Sequence, residues 1–120
     1  MKASRTSLWV LGALVVVITA ASTWWAGRQE AQVGKQVAAL ALPGDIRMLS
    51  SDTCGICSVA RGWFQQHGVA YTDCSIERDA ACKADFEASR SPGTPVLLVH
   101  RQAMVGFNPE RLLAALRPRG

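Results

Sequence analysis

Between Thr6 and Gly27 the chain runs for 22 residues without a formal charge. A stretch of that length is too apolar for solvent, and the rest of the chain is too small to enclose it as a core helix. Leu8–Gly27 (LWVLGALVVVITAASTWWAG) has 20 residues, about 30 Å as a helix, which is the thickness of a hydrocarbon core. Trp9 lies near one end and Trp24 and Trp25 near the other, where interfacial indoles are favoured. Residues 8–27 therefore read as an uncleaved transmembrane anchor behind a short tail, 1–7. A cleaved signal peptide competes, with Met1–Ser7 as its charged region, Leu8–Ala20 as its apolar region and small residues around Ala21. Two tryptophans just past such a cut fit it poorly.

Lys2 and Arg5 flank one side of the run, and Arg28 and Lys35 the other. The charge rule for orientation is thus nearly balanced, and the terminal amino group tips it toward N-inside. The expectation is a single pass of the cytoplasmic membrane with the C-terminal domain on the extracytoplasmic, oxidising side. Residues 28–44, rich in Ala and Gln and ending in the turn signal Pro43-Gly44, read as a partly helical tether.

The net charge of +4 over 120 residues does not indicate a nucleic-acid partner. Residues 1–44 carry a net of +3, beside the apolar run, and residues 45–120 only +1. A nucleic-acid binder concentrates its excess charge on the folded domain, where it neutralises phosphates.

In residues 45–120, Ile46–Ser50 is a short strand. Gly55–His67 then has helical spacing, with Val59, Ala60, Trp63, Phe64 and His67 on one stripe and Gly68 as the closing glycine. Val69–Cys74 reads as a second strand, and Asp79–Ala88 as a helix with Ala81, Cys82 and Phe86 inward. Val96–Val99 reads as a buried strand and Ala103–Val105 as its hairpin partner after the turn His100-Arg101-Gln102. Asn108 caps a last helix that has Pro109 at its first position and Leu112, Leu113 and Leu116 toward the core. Pro118 ends it. The order β-α-β-α-β-β-α is an α/β domain with a parallel first crossover and a terminal hairpin.

Cys54-Gly55-Ile56-Cys57 follows the first strand and opens the first helix of this domain. The carboxyl end of a strand is where an α/β sheet places a site. A helix N-terminus offers free N–H groups that favour a thiolate. Cys54 is thus the candidate attacking thiol. Cys57, one turn on, is positioned to resolve a mixed disulfide. No metal and no cofactor are needed beyond the two thiols. Cys74 and Cys82 are eight positions apart across a strand-to-helix turn. An even cysteine count in an oxidising compartment points to a structural disulfide between them. Two buried thiols, or an electron relay to Cys54 and Cys57, are the alternatives.

CGIC after a strand, GTPVLLV about forty residues later, and then VGFNPERL resemble the glutaredoxin/thioredoxin superfamily over roughly residues 46–117. The resemblance implies a thioredoxin-like fold and a membrane-anchored, glutaredoxin-like thiol-disulfide oxidoreductase. In that family setting Cys54 is the nucleophile, Cys57 resolves, Pro95 is cis, and the Thr94 backbone pairs with the substrate chain. Gly106-Phe107 resembles the glycine turn that leads into the last helix of glutaredoxin-like proteins, and both are candidate substrate-binding residues. The implied partners are protein dithiols and disulfides and a redox partner that resets the pair.

The chain also departs from the family. Met48 replaces the buried aspartate of thioredoxins, and Gly55-Ile56 replaces the usual dipeptides, which leaves the direction of exchange open. Ser51 stands where glutaredoxins often carry a lysine, beside the negative Asp52, and Phe107 and Glu110 replace their later glycine and aspartate. Strong glutathione binding is therefore not expected.

Two other classes compete. A four-cysteine zinc-binding structural module could use Cys54, Cys57, Cys74 and Cys82, but it leaves Thr94-Pro95 without a role. A non-catalytic thioredoxin-fold binding protein would keep the fold without turnover. His67 and His100 read as solvated or dipole-facing residues rather than ligands.

Overall fold

The alternation of side chains along a strand sorts this domain into two faces. In a computed structural model, which describes residues 4–118, the elements are α1 (Arg5–Leu40), β1 (Ile46–Ser50), α2 (Gly55–His67), β2 (Thr72–Ser75), α3 (Ala80–Ser89), β3 (Val96–Val99), β4 (Gln102–Val105) and α4 (Pro109–Leu116). The strands form one sheet in the order β2-β1-β3-β4. β1 runs parallel to β2 and antiparallel to β3, and β3 is antiparallel to β4. The element order, the parallel β1–β2 pair and the terminal hairpin are those expected from the sequence; the antiparallel β1–β3 pair that sets the sheet order is supplied by the structure.

Ile46 and Met48 of β1, Leu97 and Val99 of β3 and Met104 of β4 join Ala60, Trp63 and Phe64 of α2 and Leu112, Leu113 and Leu116 of α4 in the main core. Leu49 and Val96 lie one residue out of phase with that set. They pack on the other face with Cys82 and Phe86 of α3 and Cys74 of β2. The ladder pairs Leu49 with Cys74 and Val96, so the smaller cluster is a continuous row across three strands.

Caps fix the helix ends. The Asp79 carboxylate accepts from the backbone N–H of Ala81 and Cys82 at the start of α3. The Asn108 side chain accepts from Arg111 N–H at the start of α4. Gly68 closes α2 in the left-handed conformation.

Five local expectations change. The second strand is Thr72–Ser75 rather than Val69–Cys74; Val69 is buried in the main core as the chain approaches the strand. The last strand gains Gln102, paired with Val99, because the hairpin turn is only His100-Arg101, both with positive φ. Val59, expected on the inward stripe of α2, is 65% exposed, and Ala81, expected inward on α3, is exposed because Cys82 and Phe86 form the face that meets the sheet. His67 is half-buried, its ring 4.7 Å from that of Trp63.

The largest difference lies in residues 28–44, which composition reads as a tether. Helix α1 continues through them to Leu40, and Val37 and Ala41 are buried in the main core. The chain divides into two compact units, Met1–Gln32 and Val33–Gly120, so the end of α1 belongs to the second unit. The close approach is made at Gly34, where a Cβ would overlap the His67 ring. The described part of the first unit is helical, and α1 is long and apolar enough to cross a membrane by length and composition.

Candidate functional site

The site is built where β1 ends and α2 begins. Cys54 has extended backbone angles and occupies the N-cap position of α2. Its Sγ accepts the Cys57 backbone N–H at 3.0 Å, so a sulfur takes the capping role usually filled by a Ser or Asp oxygen. Cys54 is half-buried, whereas Cys57 is fully buried against the main core. Their Cα atoms are 5.2 Å apart and the two are bonded as a disulfide. The outer sulfur of this pair is the one on the helix end, where partial positive charge accumulates.

Thr94 and Pro95 face the same region. The Thr94–Pro95 peptide is cis, Pro95 is buried, and Thr94 Oγ1 donates to Ser51 Oγ at 3.3 Å. The Ser51 carbonyl in turn accepts the Cys54 N–H at 3.4 Å. Gly106, with φ +81°, donates its N–H to the Pro95 carbonyl at 2.9 Å. Thr94, Pro95 and Gly106 are thus tied to one another and to the residues just before Cys54. Phe107 is placed differently: its ring packs edge-on against Trp63 and Phe64, with centroids 5.5 and 5.6 Å away. It supports α2 from the core side.

Ile56 and Val59 are 55% and 65% exposed. They lie three residues apart at the start of α2, so they share one helix face beside Cys54.

A charged network flanks the site, and sequence reasoning misses it. Ser50, buried at the end of β1, donates to Asp73 Oδ1 at 2.5 Å. Arg61, on the second turn of α2, donates to Asp73 Oδ2. Partial burial pushes the Asp73 carboxyl up, but the hydrogen bonds from Arg61 and Ser50 and the charges of Arg61 and Arg78 outweigh it, holding Asp73 below the ordinary carboxylate range. The same hydrogen bond raises Arg61 above its ordinary value. Nearby, Arg78 donates to Asp52 at 2.6 Å. The available signal was an aspartate in strand phase with Ser50 and an arginine one turn beyond Cys57; neither carries a motif. Met48, at the position of the thioredoxin aspartate, is fully buried, and its ladder partner on β2 is Asp73.

Cys74 and Cys82 are bonded to each other with Cα atoms 6.2 Å apart, in the smaller cluster on the α3 face. Cys54 and Cys57 pack with the main core. The four cysteines therefore do not converge on one tetrahedral site, because the sheet separates the pairs. A direct relay between the pairs fails for the same reason. Among the described residues, the group with metal-ligating spacing is Cys74, Asp79 and Cys82, with both of its sulfurs already in a disulfide.

No protein-family model matches the chain, and no curated protein matches it. Among solved structures it is similar to a single-site mutant of the thioredoxin-like protein BC3987, with 23% identity and a TM-score of 0.55 over 61% of this chain and 95% of that one. The unmutated protein gives 22% identity and a TM-score of 0.52 over 58% and 97% of the two chains. A glutaredoxin from Archaeoglobus fulgidus gives 22% and 0.50 over 62% and 87%. At such identities the likeness is one of fold. The chain has a thioredoxin-like α/β fold preceded by a long apolar N-terminal helix.

Proposed function

We propose that this chain is a membrane-tethered thiol-disulfide oxidoreductase working through Cys54 and Cys57. The observation that carries the reading is the Cys57 N–H donated to Cys54 Sγ at the start of α2. When the pair is reduced, that donor and the helix end stabilise negative charge on Cys54, and the thiolate is the reactive form. The Cys54 thiolate attacks a substrate disulfide, and a mixed disulfide forms as one substrate sulfur leaves. Cys57 then attacks Cys54, releases the reduced substrate and leaves the pair oxidised. Run in reverse, the oxidised pair passes its disulfide to a substrate dithiol.

Protein substrates suit the surface around Cys54. Ile56 and Val59 offer an apolar rim, and the Thr94 backbone, next to the cis peptide, would pair with an extended substrate chain. Gly106 closes the other side, with Phe107 behind it. Ser51 and the ion-paired Asp52 offer no cation for a glutathione carboxylate, so no strong glutathione site is proposed. Residues 8–27 anchor the chain in the cytoplasmic membrane, with the domain on the extracytoplasmic side, where a redox partner resets the pair.

The test is a pair of variants assayed for exchange with a protein disulfide. Cys54→Ser is expected to abolish exchange, and Cys57→Ser to accumulate mixed disulfides on Cys54 because resolution is lost. Exchange surviving in Cys54→Ser would overturn the assignment, and a wild type without turnover would make the chain a binding protein. The potential of the couple then sets the direction: about −120 mV marks an oxidant and about −270 mV a reductant.

A further inference from the structure

Cys74–Cys82 has features that a purely structural staple does not require. Cys74 is half-buried on β2, an edge strand of the sheet. Cys82 is 1% exposed and lies in the first turn of α3. The Arg47 guanidinium is aimed at this buried sulfur, with Nη2 2.9 Å from Cys82 Sγ. Its other terminal nitrogen, Nη1, is held by Asp85 at 2.7 Å. A disulfide sulfur is a weak acceptor and gains little from a guanidinium, whereas a thiolate at the same place gains a charge-assisted hydrogen bond. The opposing charge is Asp79, whose carboxylate lies within 4.8 Å of both sulfurs. Its Oδ1 is occupied by two helix amides, whereas Arg47 is in hydrogen-bond contact with the Cys82 sulfur.

We infer that Cys74–Cys82 is a second thiol-disulfide exchange centre, opened by attack on Cys74 with Cys82 leaving as a thiolate under Arg47. An external thiolate, from a small thiol or a protein, approaches at half-buried Cys74 on the edge strand and bonds to its sulfur. The Cys74–Cys82 bond breaks, and its electron pair stays on Cys82. A second external thiol then attacks the mixed disulfide and takes the first away as a disulfide, and Cys74 gains a proton. Two external thiols are oxidised and one disulfide is reduced. A stabilised leaving thiolate speeds the first step. The guanidinium that favours this thiolate also disfavours a metal cation at Cys74, Asp79 and Cys82. The sheet keeps this centre apart from Cys54 and Cys57, so the two couples respond independently, and the inference does not depend on the role of the first pair.

The experiment uses the full chain in detergent with Cys54→Ser and Cys57→Ser, so that only the second pair reports. The protein is equilibrated without denaturant in glutathione buffers of stepped thiol-to-disulfide ratio, alkylated and weighed by mass spectrometry. A reversible two-thiol transition is expected, and in a background that also carries Cys82→Ser a glutathione adduct should map to Cys74. Arg47→Gln should slow reduction by dithiothreitol about tenfold, the scale of one hydrogen bond to a charged group. Asp85→Asn breaks the same ion pair but leaves the guanidinium at the sulfur, and should reduce at least as fast as the parent. A pair that stays oxidised at every ratio and opens only in urea would overturn the inference. So would equal slowing by Arg47→Gln and Asp85→Asn, or stoichiometric zinc uptake by the reduced pair.

Discussion

Asp73 shows how one side chain can matter to a site without touching its chemistry. It receives the buried Ser50 hydroxyl and the Arg61 guanidinium, joining β1 and β2 to α2 one turn beyond Cys57. Its carboxyl is held below the ordinary range, so the charged form is stabilised by folding. That contribution is complete above the unfolded carboxylate pKa of about 3.9 and disappears as pH falls through the lower folded value. The Arg61 and Asp73 side chains are 33% and 31% exposed, which limits the pair to about 1 kcal/mol at neutral pH. Asp73→Asn keeps an acceptor for Ser50 but loses the charge. It should cost about 1 kcal/mol at pH 7, with the gap to wild type closing in acid below about pH 4. Urea unfolding at about pH 7 and about pH 3, on either side of the carboxylate range, checks this; a gap independent of pH would mean that the charge is not what stabilises.

Among the elements, α1 changes most between sequence and structure. Its last turns present Gly34 to the His67 ring and put Val37 and Ala41 into the main core. The contact needs a residue without Cβ, because any side chain at 34 would occupy the space of the imidazole. Gly34→Ala should therefore loosen residues 33–41 from the domain despite alanine's better helix propensity, which is worth about 1 kcal/mol in isolation. Overpacking of this kind costs about 1–3 kcal/mol, so a net loss is expected. His67→Ala in the same chain should restore much of it by vacating the space. Hydrogen exchange over residues 33–41 and the Tm read the two variants. If Gly34→Ala raised the Tm, propensity would outweigh the clash.

For the whole molecule, the 36-residue α1 amounts to about 54 Å of helix, more than a hydrocarbon core needs. The apolar part from Leu8 to Gly27 has the length of a span, and the last turns of α1, from Val33, belong to the compact unit of the folded domain. An anchored chain should sediment with membranes, resist extraction by high salt and dissolve in detergent. Protease added to cells with a permeabilised outer layer should digest residues 45–120 if the domain faces outward. A protected domain would reverse the topology, and a shortened soluble chain would identify the apolar run as a cleaved signal.

The apolar run, the element order and the position of Cys54 and Cys57 were legible in the sequence because each rests on local chemistry. Hydrocarbon thickness sets the length of a span, alternating and helical periods mark strands and helices, and Cys-x-x-Cys after a strand opens a helix. The cap at Asn108 and the glycine at 68 are local for the same reason. What the sequence left open depended on partners distant along the chain. Residues 28–44 are polar enough to pass as a tether, and only the packing of Gly34 on His67 and of Val37 in the core makes their end part of the domain. Val59 fits an apolar stripe by spacing, yet no element covers it. Asp73 and Arg61 carry no motif until β2 and α2 bring them together beside Ser50. Cys74 and Cys82 could be paired or free by spacing alone; the ladder that sets Cys74 beside Leu49 on the α3 face, away from Cys57, decides which cysteines meet. That same face delivers Arg47 to Cys82, 35 residues away, because a strand alternates its side chains and only the folded sheet determines what stands opposite each one.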